Sequence, residues 1–160
     1  MLLISHRGNV DGVTPPKENT IPYIQEALNR GFYVEVDIYE HAGELYFGHE
    51  YGGSGQRVDW SFLKHNAGKL LIHCKDAKTL LKLRHYDFLA IFYQDHDDYA
   101  IASNDWIIAH SKQGSMVYDG KDENLSGTIV MLPEKNGLGK KFLRELGCHG
   151  ICSDIISFYD

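Results

Sequence analysis

Short apolar runs alternate along the chain with stretches whose apolar residues recur at helical spacing. Seven runs predict strands, because they are rich in β-branched and aromatic residues and are bounded by turn signals. These runs are residues 2–5, 33–39, 70–75, 88–93, 106–110, 128–132 and 150–154. A further run at 45–47 follows the turn 41–44 and predicts a short hairpin with the second strand.

Four stretches between these strands predict helices, and each is bounded by a capping or stop residue. Pro22 fits the first turn of the first helix, which ends at Gly31. The marking residues are Ile24, Ala27 and Leu28 after a cap at Asn19 or Thr20; Leu63 after a cap at Asp59; Ala77, Leu80 and Leu81 after a cap at Asp76; and Leu138, Phe142, Leu143 and Leu146 before a stop at Gly147.

The alternation of strands and helices predicts an α/β fold. Seven parallel strands, one hairpin and about four helices indicate a compact, reduced TIM-like (β/α) barrel with some helices missing. No amphipathic helix fits between residues 93 and 106 or between 110 and 128. The length predicts a single domain over residues 1–160, large enough to bury a core.

Two acids share one face of the second predicted strand. Side chains alternate between the faces of a strand, so Glu35 and Asp37 point one way while Val34, Val36 and Ile38 point the other. The strand follows a helix and has the character of an interior strand, where unpaired carboxylates are costly. Two interpretations stay open: the acids bind a divalent cation, which takes oxygen ligands, or they form salt bridges.

Composition argues against several classes of partner. The net charge is −6 and the Lys and Arg residues are scattered, so nucleic acid is not expected. No apolar run approaches the ~20 residues that span a bilayer, so stable membrane insertion is not expected. The apolar start at Met1 turns polar at Ser5 without a basic flank, which predicts a strand and not a signal peptide.

The three cysteines, Cys74, Cys148 and Cys152, show no repeating framework. An odd number without such spacing favours reduced thiols and a cytoplasmic protein. The pair Cys148-x-x-x-Cys152 has no nearby cysteine partners, which predicts two buried thiols rather than zinc ligands.

A compound signature runs through the first third of the chain. It consists, in order, of His6-Arg7-Gly8, Glu18-Asn19-Thr20, Glu35-x-Asp37, Gly43 and Gly48-His49. Together these motifs resemble the glycerophosphodiester phosphodiesterase family, within the phosphatidylinositol-specific phospholipase C-like superfamily; such a combination is harder to reach by chance than any one part. The closing run Gly150-Ile151-Cys152-Ser153-Asp154 is similar to the family's Gly-Ile-x-Thr-Asp run, whereas residues 88–135 match weakly. The resemblance implies a barrel that typically takes ~250 residues, so this chain would be a short, divergent member.

The resemblance also implies a bound divalent metal ion, with Glu35 and Asp37 as ligands. The family's third acid lies in a Glu-x-Lys strand, and here His73 stands at its position while Lys75 is kept. Carboxylates favour Mg or Ca, whereas imidazole favours softer ions such as Zn, Fe or Ni. Three readings stay open: His73 is a third ligand, only two carboxylates bind the ion, or His73 is hydrogen-bonded inside the barrel. Glu134, at a predicted strand end, is a further candidate for the missing acid.

The remaining roles that the resemblance implies are catalytic and substrate-binding. His6 and His49 would be the acid and base in either order, and Arg7, Asn19 and Lys75 would bind substrate. The implied reaction cleaves a glycerophosphodiester to glycerol 3-phosphate and an alcohol, and short loops favour a small, soluble substrate. At the predicted strand ends, where barrel active sites lie, the chain carries His6, Arg7, Glu35, Asp37, His73, Lys75, Glu134 and Asp154.

Two rival functions stay open. One is an inactive protein that binds a phosphorylated ligand, supported by His73 in place of an acid; the other is the same site acting on a cyclic nucleotide or phospholipid. Exposed strand edges favour a homodimer. The loop 51–57 is either a closing segment or a plain surface loop, and the acidic cluster 94–98 predicts a solvated loop because it lacks regular ligand spacing.

Overall fold

The computed structural model describes residues 1–50, 55–110 and 127–160 of the chain. Most of the predicted loop 51–57 and of the polar stretch 114–127 therefore lies outside the described residues. The strands are β1 (Leu2–His6), β2 (Tyr33–His41), β3 (Glu44–Phe47), β4 (Gln56–Arg57), β5 (Leu70–Cys74), β6 (Ala90–Tyr93), β7 (Tyr99–Ile101), β8 (Ile107–His110), β9 (Thr128–Met131) and β10 (Gly150–Ser153). The α-helices are α1 (Ile21–Asn29), α2 (Trp60–Asn66), α3 (Ala77–Leu83), α4 (Lys140–Glu145) and α5 (Ile156–Tyr159), and short 3-10 turns cover Ala67–Lys69 and Pro133–Asn136.

The strands form one curled sheet with β2 and β1 near its centre. Its parallel strands follow the order β6-β5-β2-β1-β10-β9-β8, which confirms the seven predicted parallel strands. β7 pairs antiparallel with β8, and the β3–β4 hairpin extends β2 antiparallel. Since β4 and β7 are only two and three residues long, they show no periodicity in the sequence. The architecture is the predicted reduced (β/α) barrel.

Ser103 joins the two edges of the curled sheet where strand pairing is interrupted. Among the described strands, β6 pairs only with β5. The Ser103 backbone N–H donates to Ile91 O (2.8 Å), and its hydroxyl accepts from Ile91 N–H (3.0 Å) and donates to Leu89 O (2.9 Å). One serine thus satisfies backbone groups that a neighbouring strand would otherwise satisfy.

The helices bury narrower faces than the sequence pattern indicates. α1 buries Ile24, Ala27 and Leu28 as predicted, and the predicted caps Asp59 and Asp76 accept backbone N–H groups of α2 and α3. Three of the apolar residues that mark α3 and α4 in the sequence are exposed in the structure: Ala77, Leu81 (53%) and Phe142 (42%). The buried residues of these short helices are Thr79 and Leu83 in α3 and Leu143 in α4. None of the described helices is both long and apolar enough to span a membrane.

The barrel interior is layered, with apolar side chains below and polar side chains at the mouth. Side chains two residues apart share a strand face. On each of four strands an apolar residue therefore points inside the barrel, and a polar residue two positions further along points inside nearer the carboxyl end. The interior apolar cluster contains Ile4, Leu71, Phe92, Ala102, Ile108, Ile129, Met131 and Cys152. Two positions beyond Ile4, Leu71, Ile108 and Cys152 stand His6, His73, His110 and Asp154. The polar groups therefore rest on a packed floor at the end of the barrel where such folds place their sites.

Candidate active site

The two predicted catalytic histidines come from segments that pair along the same edge of the strand β2. The first half of that edge pairs with β1, and the Arg7 N–H donates to Glu35 O (2.9 Å) just after β1 ends. The hairpin takes over the second half, and the Gly48 N–H donates to Asp37 O (3.0 Å). Since His6 precedes Arg7 and His49 follows Gly48, both histidines flank the strand that carries the two acids. Both line one cleft of about 750 Å³.

Glu35 and Asp37 are buried, with unsatisfied oxygens directed toward His73. Both side chains have no exposed surface, and in the described part of the chain neither Glu35 oxygen nor Asp37 Oδ1 has a hydrogen-bond partner. His73 Nδ1 lies 3.2 Å from Asp37 Oδ1 and 3.7 Å from Glu35 Oε1. One ligand atom from each of the three residues lies within 4.8 Å of the others. Unpaired buried carboxylate oxygens are costly, and two carboxylates with one imidazole form a donor set that fits a divalent metal ion.

The two acids differ in their electrostatic surroundings. Burial raises the pKa of Glu35, and the neighbouring charge of Asp37 raises it further. Burial also acts to raise the pKa of Asp37, but the neighbouring His73 imidazole and the charges of Arg7 and Lys75 hold that pKa well below its usual range. Asp37 therefore stays ionised in the folded protein, while Glu35 carries the cost of two adjacent charges.

Asp37 is held in place by groups on three sides. The Asn19 amide donates to Asp37 Oδ2 (3.1 Å) and its oxygen accepts the Asp37 N–H (2.9 Å). Arg7 Nε lies 2.8 Å from Asp37 Oδ2, and Lys75 Nζ lies 3.6 Å from Oδ1. Asn19 is 2% exposed and has φ = 58°, a left-handed conformation that Asn tolerates better than most residues. Thr20, not Asn19, is the N-cap of α1, and contact of Asn19 with substrate stays a prediction.

His6 forms a buried pair with Asp154. His6 Nδ1 lies 2.7 Å from Asp154 Oδ1, and the same oxygen accepts from Asn9 Nδ2 (2.8 Å). Burial lowers the pKa of His6, but the bond to Asp154 and the charge of Glu35 outweigh this and raise it. Because an ionised Asp154 accepts the proton on Nδ1, the other ring nitrogen, Nε2, is left to exchange a proton; it lies 3.9 Å from Glu35 Oε2.

The cleft joins most of the predicted site residues on one surface. Its walls include His6, Arg7, Glu35, His49, His73 and Lys75, while Asp37 and Asn19 lie beneath them. His49 is exposed as a residue, but its imidazole is partly desolvated in the cleft, and this lowers its pKa. The opposite wall contains the predicted solvated loop, in which Asp95, His96 and Asp97 are exposed.

Several residues of the site carry no clear signal in the sequence. Asn9 is fully buried and bonds both Glu18 (2.7 Å) and Asp154, although it lies in a loop. His110, at the end of β8, lines the cleft, and burial lowers its pKa to about 4. Its place at a strand end is the one pattern that predicts it.

Glu134 lies outside the group of candidate metal ligands formed by the described residues. Its carboxylate accepts from Ser153 Oγ and from the Asp154 N–H, both at 2.9 Å. Glu134 therefore orients Asp154 rather than standing in for the missing acid. All three cysteines are free and buried, which agrees with the prediction of buried thiols.

Comparison with solved structures shows which proteins share this fold. The glycerophosphodiester phosphodiesterase from Agrobacterium tumefaciens str. C58 matches with a TM-score of 0.56 at 18% identity, over 99% of this chain and 98% of that one. A candidate glycerophosphoryl diester phosphodiesterase from Silicibacter pomeroyi DSS-3 matches with a TM-score of 0.50 at 13% identity, over 99% of this chain and 91% of that one. Comparison with protein-family models and with curated proteins gives no match. At these identities the likeness establishes the fold, which is the fold that the motif resemblance implied.

Proposed function

We propose that this protein is a metal-dependent phosphodiester hydrolase that cleaves a glycerophosphodiester to glycerol 3-phosphate and an alcohol. The observation that carries the proposal is the content of one cleft: a paired histidine, a second histidine, two cations and the unsatisfied oxygens of two buried acids. The proteins of the same fold named above add support, because both are described as diesterases of this kind.

The cations of the cleft suit the binding of a phosphodiester. Arg7 and Lys75 are 21% and 16% exposed at their side chains, so they reach the cleft while their charges are held beside Asp37. There they neutralise charge on the nonbridging oxygens, which is the charge that grows as the phosphate is attacked. A divalent ion held by Glu35, Asp37 and His73 would supply Lewis-acid stabilisation of the same charge.

The two histidines suit the two proton transfers. His6 exchanges its proton at Nε2, because Nδ1 is committed to Asp154. His49 enters the cleft from the hairpin and has no such carboxylate partner among its described contacts. The Asp154 bond raises the pKa of His6, whereas burial lowers that of His49, so one imidazole tends to hold a proton that the other tends to lose. The nucleophile is water or a neighbouring hydroxyl of the substrate.

The proposal is tested with chelator-stripped protein and divalent ions added back singly. Release of glycerol 3-phosphate is measured from glycerophosphodiesters with different alcohols, beside cleavage of an aryl phosphodiester. We expect metal-dependent turnover that falls by ~10²–10⁴ in His6→Ala and His49→Ala. His65→Ala is the control, because His65 lies exposed on α2. Full activity of the double variant His6→Ala/His49→Ala would refute the mechanism.

A second function has one observation in its favour. His73 stands beside Asp37 together with Arg7 and Lys75, so three basic groups already surround that carboxylate. Such a site suits a protein that binds a phosphorylated ligand without turnover. This alternative predicts phosphate affinity that survives chelation and no product with any ion, so the same assay combined with a binding measurement separates the two functions.

A further inference from the structure

Two neighbours determine which nitrogen of His73 carries a proton. His73 Nε2 lies 3.1 Å from the backbone oxygen of Gln94, and since a carbonyl only accepts, Nε2 is the donor. The imidazole stacks on Phe92, its partner across β5 and β6, with ring centroids 4.5 Å apart and planes 13° apart. The Gln94 side chain donates to Asp97 O (2.6 Å) and is 8% exposed, so the turn that presents this carbonyl is itself held.

The other nitrogen, Nδ1, faces the two acids. In the neutral ring with hydrogen on Nε2, Nδ1 carries a lone pair, and it points at Asp37 Oδ1 and Glu35 Oε1. Histidines that bind metal ions characteristically donate their second N–H to a carbonyl or carboxylate, which fixes the tautomer and the ring orientation. His73 has the second N–H bonded in this way, and its Nδ1 lies beside the two acids and 3.5 Å from Lys75 Nζ.

We propose that His73 Nδ1 makes this site selective for a borderline divalent ion of the transition series, such as Zn²⁺ or Co²⁺, over Mg²⁺ and Ca²⁺. The inference rests on the cation site of the proposed function and names the class of ion that it takes. Imidazole nitrogen suits Zn²⁺ and Co²⁺, whereas Mg²⁺ and Ca²⁺ take oxygen ligands.

The charge of the site points in the same direction. A histidine in place of a third acid removes one negative charge from the ligand set, and affinity for Ca²⁺ depends on the number of charged ligands. Arg7 and Lys75 lie beside Asp37 and offset part of the charge that remains. Both effects weaken the binding of ions that are held mainly by charge. They do not affect the coordinate bond that the Nδ1 lone pair can form with an ion that prefers nitrogen.

The test measures metal binding directly, without reference to turnover. Dissociation constants for Zn²⁺, Co²⁺, Mg²⁺ and Ca²⁺ are measured by competition with a chromophoric chelator for the wild type, His73→Glu and His73→Asn. His110→Gln is the matched control, because His110 lines the same cleft but lies outside the group formed by Glu35, Asp37 and His73. Long-range ¹H–¹⁵N spectra of the ¹⁵N-histidine protein, with and without Zn²⁺, show which ring nitrogen binds the ion.

We expect Zn²⁺ to bind at least ~100-fold more tightly than Mg²⁺ in the wild type. His73→Glu lowers Zn²⁺ affinity relative to Mg²⁺ by more than the ~10–100-fold that loss of an outer partner costs, and His110→Gln changes both affinities less than about threefold. His73→Asn, which adds no charge, replaces His73→Glu if circular dichroism shows that the latter does not fold. In the spectra, Zn²⁺ shifts the Nδ1 resonance of His73 and leaves Nε2 protonated.

Equal affinity for Zn²⁺ and Mg²⁺, or Zn²⁺ binding that leaves the His73 resonances unmoved, would overturn the inference. These outcomes are separable from failure of the proposed function. Tight Zn²⁺ binding at His73 without turnover of any diester would sustain this inference and contradict the hydrolase. Mg²⁺-dependent turnover that is equal in the wild type and His73→Asn would sustain the hydrolase and contradict this inference.

Discussion

The pair formed by His6 and Asp154 offers a test in which charge is removed and shape is kept. Both donors to this carboxylate, His6 Nδ1 and Asn9 Nδ2, use the same oxygen, Oδ1. In Asp154→Asn the amide oxygen can occupy that place and accept from both donors, so the hydrogen bonds survive while the negative charge is lost. We therefore expect the variant to fold with a free energy of unfolding within about 1 kcal/mol of the wild type, the size of one neutral hydrogen bond.

The expected effect on catalysis follows from the bond that loses its charge. Hydrogen bonds to charged groups contribute about 1.5–3 kcal/mol, roughly twice the neutral value. Because the neutral bond survives in Asp154→Asn, the developing imidazolium loses about half of this stabilisation, about 0.7–1.5 kcal/mol. We therefore expect kcat/KM to fall by about 3–13-fold, since each 1.36 kcal/mol is tenfold in rate. The measurement is kcat/KM for a glycerophosphodiester across pH, with Asp11→Asn as the control because Asp11 is an exposed acid bonded to Arg30 and Ser157.

The pH profile also assigns the role of His6. Asp154 raises the pKa of His6, so its replacement by Asn lowers that pKa. If His6 acts as the base, it must be neutral, and the acidic limb of the profile moves to lower pH. If it acts as the acid, it must be protonated, and the alkaline limb moves to lower pH. A profile with neither limb moved and kcat/KM within twofold of the wild type would refute a catalytic part for this pair.

Three further changes test the supports of the site and the fold. Glu35→Gln removes a buried charge whose oxygens have no hydrogen-bond partner, so the metal-free variant should unfold with a free energy about 1–3 kcal/mol higher. The pKa of Glu35 is raised in the folded state, so the metal-free wild type should lose stability as the pH rises above ~4.3, and Glu35→Gln should lack this contribution. Denaturant titrations in which the free energy of unfolding changes equally with pH in both proteins would contradict this. Asn19→Ala should lower stability by about 3 kcal/mol through lost bonds to Asp37 and a left-handed φ, and Asn19→Gly, which tolerates that φ, should recover about 1 kcal/mol in the same titration. Ser103→Ala should lower the free energy of unfolding by about 1–3 kcal/mol because the Ile91 N–H loses its partner, and kcat should stay unchanged. A variant of wild-type stability would show that the Ile91 N–H finds another acceptor.

The sequence predicts the strands and the acid pair, but not the contacts that support them. Periodicity of two sets Glu35 and Asp37 on one face, and the same rule places His6 and His73 inside the barrel. Asn9 and Ser103 show no such pattern, because each acts from a loop on groups far away in the chain, Asp154 in one case and Ile91 in the other. The conformation of the loop backbone determines these contacts, and the periodicity of apolar and polar residues carries no information about that conformation. The exposed Leu81 has the converse cause: a helix of two turns buries fewer positions than its apolar pattern offers.

The helices of the described chain are distributed unevenly around the candidate site. The two acids lie in β2, and most of the side chains that hold them and His6 lie in or directly after β1, β5 and β10. Asn9 and Asn19 come from the loop between β1 and α1. An α-helix precedes β2, β5 and β10 in the chain, and α1 and α3 pack against β2, the strand that carries both acids. Between β6 and β8, in contrast, the chain uses the short strand β7 and the Ser103 bonds in place of a helix. That side supplies the far wall of the cleft, with the Gln94 carbonyl and His110. The helix that is replaced between β6 and β8 would therefore lie beside the far wall of the cleft, which contributes the Gln94 carbonyl and the His110 imidazole. It would not lie beside β2, which holds the two buried acids side by side.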